Sequence, residues 1–159
     1  MTNRDSLEIS TPSDREVTLK RTFNAPATLV FDALTKPELL RQWYGPSGWT
    51  LIFCEIDLRV GGKWRFVVQR PDGKEIGQKG EYREISAPER IVNTESWEDW
   101  DPGETLVTMT LTELNQKTTL TSTSLFPSKE VRDIILKAGL GDGAWESYER
   151  LAGLVEGRC

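Results

Sequence analysis

The chain has 159 residues, 37% hydrophobic and 28% charged, with a formal net charge of -5 and no histidine. This composition predicts a globular domain with one substantial core, and the apolar runs fall far short of the roughly 20 residues a membrane helix needs. The scattered basic residues exclude the stripe of a nucleic-acid binder, the missing histidine excludes a Cys–His nucleophile, and the carboxylates match no metal loop; no metal or cofactor is expected.

Residues 1–14 are polar and carry Ser, Thr, Asp and Pro, which reads as a flexible leader to a single domain over 15–156. No export signal opens the chain. Of its two cysteines, Cys54 sits in an apolar strand pattern and Cys159 is the last residue. A structural disulfide is therefore not expected, and the reading is a reducing, cytoplasmic protein.

Residues 15–24 alternate, with Val17, Leu19 and Phe23 on one parity, and predict a strand with one wet face. Pro26 suits the first turn of a short helix carrying Ala27, Val30, Phe31 and Leu34. A second helix opens at Pro37, buries Leu39, Leu40 and Trp43, and ends at Gly45-Pro46-Ser47-Gly48.

Six strands follow, at about 49–57, 62–70, 76–85, 90–97, 105–114 and 117–125, separated by turn chemistry such as Pro71-Asp72-Gly73 and Asn115-Gln116. Short hairpin turns make the sheet antiparallel. Ser128 then caps a helix to about Lys137, the Gly139–Gly143 run interrupts it, and Asp142 caps a final helix to about Glu156. The order β-α-α-β6-α gives an α+β fold with a curved sheet of about seven strands. One helix is too narrow to cover the concave face of such a sheet, so a cavity is expected between them.

Several motifs in this order carry a resemblance. Ala25-Pro26, the run Val30–Thr35, Pro37-Glu38 and Trp43 are similar to the opening of the START-like, helix-grip superfamily. Trp43-Tyr44-Gly45-Pro46, Asp57–Phe66, Pro71-Asp72-Gly73 and Gly143–Leu151 resemble the branch named for the activator of Hsp90 ATPase (AHSA1-like) C-terminal domain. The likeness covers roughly 15–156. It implies a sheet gripping a long C-terminal helix around a cavity that takes an apolar or aromatic ligand. Eukaryotic co-chaperone relatives carry an additional N-terminal domain that this sequence does not include.

Candidate wall residues follow from strand parity. Trp64 and Phe66 share one parity with Val68; Trp43 and Trp49 flank the Gly-Pro-Ser-Gly turn and could form a lid. Tyr82 and Met109 are further candidates, and Trp145 and Tyr148 face the sheet from the last helix. The same rings also serve as ordinary close-packed core. Glu95 and Trp97 share parity, with Asn93 beside them; an inward Glu95 would have a raised pKa, while a wet one would pair with Arg65 or Arg83.

The leading expectation is therefore a binder of a small hydrophobic molecule. A second is a cyclase or hydrolase-type enzyme using Glu95 and Tyr82 for proton transfer. A third is an interaction module with a chaperone or homodimer partner.

Overall fold

The computed structural model describes residues 7–157. The chain runs β1 (Glu8–Ser10), β2 (Glu16–Phe23), α1 (Ala27–Thr35), α2 (Pro37–Trp43), β3 (Thr50–Ile56) and β4 (Lys63–Gln69). It continues with β5 (Glu75–Ser86), β6 (Arg90–Trp97), β7 (Thr105–Leu114), β8 (Lys117–Leu125), α3 (Lys129–Lys137) and α4 (Leu140–Val155). The strands form one 8-stranded sheet in the order β1-β2-β8-β7-β6-β5-β4-β3, and every pairing is antiparallel. This is the expected α+β helix-grip layout, a curved sheet around a long C-terminal helix.

The sheet has one strand more than expected. Residues 8–10, read from the sequence as leader, pair with β2 through Glu8↔Lys20, Ile9↔Leu19 and Ser10↔Thr18. Three residues are too few to display an alternation, so the pairing leaves no sequence signal. Residues 1–6 of that leader, and Cys159, lie outside the described residues.

Local chemistry accounts for the element ends. The β7–β8 hairpin turns on Asn115 and Gln116, both at positive φ (53° and 63°), the geometry that matches strand twist in a two-residue loop. Ser128 Oγ accepts from Val131 N at 3.2 Å and caps α3. Pro26 offers α1 no side-chain cap; instead the Glu113 carboxylate, at the end of β7, accepts from Ala27 N at 2.8 Å.

The start of α4 differs from the expectation. The helix begins at Leu140, behind Gly139 at φ 96°, and Asp142 lies within its first turn instead of capping it. The glycines that suggested an interruption allow close packing: a Cβ on Gly141 would come within 2.9 Å of Ile9 Cδ1 and one on Gly143 within 3.4 Å of Pro46 Cγ. Tertiary contact outweighs the weak helix propensity of glycine here.

The core lies between the sheet and α4, centred on the fully buried Phe23, Leu120 and Leu151. Arg21 on β2 pairs with Glu149 on α4 at 2.6 Å, with Arg21 itself 5% exposed and stacked over Phe23 at 5.3 Å. Among the described residues, no helix is long and apolar enough to cross a membrane.

Candidate functional site

Between the concave face and α4 the sheet leaves a cavity of about 500 Å³, within the size range of small-molecule sites. Strand parity builds its floor. Trp64, Phe66 and Val68 project into it from β4, and Ile91, Asn93, Glu95 and Trp97 project from β6. Gln78 and Tyr82 come from β5, Met109 and Val107 from β7, and Ser122 and Ser124 from β8. Trp43 and Leu40 of α2, the loop residues Tyr44, Pro46 and Trp49, and Ser147 and Tyr148 of α4 close the other side.

Trp145 is the exception among the expected wall residues. It packs against the main core and does not line the cavity. The lining residues of α4, from Leu140 through Ala144 to Tyr148, form one helical stripe. At about 100° per residue, Trp145 lies roughly 130° from the centre of that stripe.

Aromatic contacts fix much of the wall. Trp43 Nε1 donates to Ala33 O at 2.8 Å, which locks the indole to α1. Tyr44 packs edge-on against Trp43 (5.7 Å) and Phe66 (5.2 Å), and Trp64 lies tilted against Phe66 (4.9 Å). Trp64 lies over Gly80, where a Cβ would come within 2.6 Å of Nε1, and that N–H is buried without an acceptor. Trp97 stacks on Trp100 at 5.5 Å.

The loop after α2 is tied to α4. Gly45 N donates to Ser147 Oγ at 3.1 Å, and the Arg150 guanidinium donates to the carbonyls of Gly45 (3.0 Å) and Gln42 (3.2 Å). Trp43 and Trp49 therefore belong to a fastened wall, not a loose flap.

Tyr44 OH donates to Gln78 Oε1 at 2.9 Å, and Asn93 Nδ2 donates to Thr94 O at 3.0 Å. Glu95 is half-buried and lines the cavity. Neither arginine expected as its partner reaches it: Arg65 makes a two-pronged bond to Glu98 (2.7 and 2.9 Å), and Arg83 pairs with Glu81 and Glu104. Burial alone raises the Glu95 carboxyl to about 7, with no cation opposite it among the described residues. Its cross-strand neighbour Thr105 is fully buried, and the Thr105 hydroxyl also has no hydrogen-bond partner.

Burial likewise raises the Tyr44 and Tyr82 hydroxyls well above their usual range and the Tyr148 hydroxyl to about 12. All three stay protonated at neutral pH. Glu95 raises Tyr44 further through its charge, whereas Tyr82 feels Cys54 instead. Tyr44, not Tyr82, is thus the tyrosine electrostatically tied to Glu95. The Cys54 thiol, raised by burial to about 11, is a protonated core group.

Sequence reasoning missed Tyr44 and Gln78 as wall residues. Tyr44 lies in a loop with no periodicity, and its only signal is its place beside Trp43. Gln78 shares parity with Tyr82 on the expected strand, but its polarity hid it.

A second hollow, of about 640 Å³, lies at the β5–β6 turn and the adjoining part of β7. Of its charged groups, Arg90 pairs with Glu84 and Glu113 accepts from Ala27 N.

Comparison with known proteins agrees with this architecture. No curated protein is a significant match. A crystal structure of a protein from Rhodobacter sphaeroides is 28% identical with a TM-score of 0.90, covering 96% of this chain and 99% of that one. A Nitrosomonas europaea protein is 25% identical with a TM-score of 0.84, over 92% and 97% of the two chains. One from Chromobacterium violaceum is 28% identical with a TM-score of 0.75, over 89% and 97%. The family model for the activator of Hsp90 ATPase homolog 1-like protein matches residues 24–156, and the chain belongs to that family.

Proposed function

We propose that the protein binds a small hydrophobic or aromatic molecule between the sheet and α4. The observation that carries this reading is the cavity of about 500 Å³, walled by Trp43, Trp49, Trp64, Phe66 and Trp97. Rigid rings give a ligand large contact area at low cost in side-chain ordering. Each 100 Å² of apolar ligand surface removed from water contributes about 2.5 kcal/mol before the costs of association.

Titration with 4-phenylbutanol, followed by tryptophan emission and calorimetry, tests the reading. Saturable binding is expected in the wild-type protein and strong weakening in Met109→Phe, which fills part of the space. No emission change and no heat in the wild type would remove the proposal.

A further inference from the structure

The charge inventory of the cavity narrows the ligand. Among the described residues, Glu95 is the one carboxylate on the wall, and no lysine or arginine accompanies it. Tyr44, in the loop after α2, feels its charge, and Tyr82 on β5 and Tyr148 on α4 share the same wall, all neutral at pH 7. From β7 and β8 come only apolar and hydroxyl side chains, such as Met109 and Ser122. Of the charged side chains on the same stretch of sheet, Arg65 pairs with Glu98 and Arg83 with Glu81.

A cavity that only stored apolar material would gain nothing from an unpaired carboxylate in its wall. An anionic ligand, such as a fatty acid, would meet Glu95 with no cation to offset it. A cation would meet a counter-ion in a cavity walled by the rings of Trp64, Phe66, Tyr44 and Trp97, and aromatic faces attract ammonium groups.

We propose that the ligand of this cavity is a lipophilic amine, an aromatic or alkyl body carrying one protonated nitrogen, with Glu95 as its counter-ion and the surrounding rings as its cage. This rests on the ligand-binding reading above and specifies its chemistry. Gln78 and Asn93, on the same wall, offer amide groups beside the ammonium position.

The test compares three probes of one shape, 4-phenylbutylamine, 4-phenylbutanol and 4-phenylbutyrate, by calorimetry on the wild-type chain and on Glu95→Gln. The amine is expected to bind at least tenfold tighter than the alcohol, with the carboxylate weakest. In Glu95→Gln the amine falls to the level of the alcohol, whose own affinity barely changes.

Because Glu95 ionises near pH 7, the ratio of amine to alcohol affinity in the wild type should rise about tenfold from pH 6 to pH 8. That ratio tests the proposal even if the variant folds poorly. Equal binding of amine and alcohol would overturn the amine assignment and leave the cavity reading standing. Preference for the carboxylate, or an amine preference that survives in Glu95→Gln, overturns it as well. Failure of all three probes to bind would remove both readings.

Discussion

Replacing Glu95 with glutamine isolates what it costs to hold a carboxylate in this wall. In the unfolded chain the group ionises near its ordinary value of 4.5, and in the folded protein burial raises this to about 7. Below the lower value both states keep the proton, and no penalty exists. Between the two values only the unfolded chain loses it, so stability falls as pH rises. Above pH 7 both states are ionised and the whole penalty remains. At about 1.4 kcal/mol per pH unit, the gap amounts to about 3 kcal/mol. Water entering the cavity screens the charge, which makes that figure a ceiling.

Glutamine keeps the shape and removes the charge. Glu95→Gln should therefore melt higher than the wild type at pH 8, by up to roughly 6–12 °C, and at about the same temperature at pH 4.5. Thermal unfolding followed by circular dichroism at both pH values reads this directly. A difference of equal size at the two pH values, or a variant less stable at pH 8, refutes the argument that burial without a partner governs Glu95.

Other substitutions probe the scaffold around the cavity. Gly80→Ala places a Cβ 1.9 Å from Thr94 O and 2.6 Å from Trp64 Nε1, and should cost about 3 kcal/mol in urea unfolding while displacing the Trp64 ring. Arg150→Ala removes both bonds to the loop carbonyls; a loss of about 1–2 kcal/mol is expected, with faster amide exchange confined to residues 44–49. Leu151→Ala, at a fully buried site under the sheet, should cost about 2–5 kcal/mol, measured from the shift in denaturant midpoint. Tyr44→Phe leaves Gln78 Oε1 without its donor and should lower stability by about 1 kcal/mol.

The strands were legible because each is long enough to show its alternation. On β6 the parity of Ile91, Asn93, Glu95 and Trp97 places all of them on the cavity wall. The α4 boundary was obscured because Gly141 and Gly143 answer to Ile9 and Pro46, partners distant in sequence. Trp145 lies off the lining stripe for a related reason: the apolar side of a helix spans more than the stripe facing one cavity. Neither Tyr44 nor β1 was visible, one set by a loop and the other by backbone pairing, and neither leaves a periodic trace. The state of Glu95 turned on where Arg65 and Arg83 point, which a sequence does not disclose.

The sheet is open: β1 and β3 are its two edges and do not pair with each other. In a closed barrel the strand number and stagger fix the internal diameter. Here no such closure holds, and the curvature of the eight strands can change by small twists without breaking a ladder hydrogen bond. The size of the enclosed space is set instead by the bulk of the wall side chains and by how closely α4 approaches, which Gly141 and Gly143 govern at its first turns. Substitution at those few places can therefore retune which molecules fit while the strand pairing stays intact.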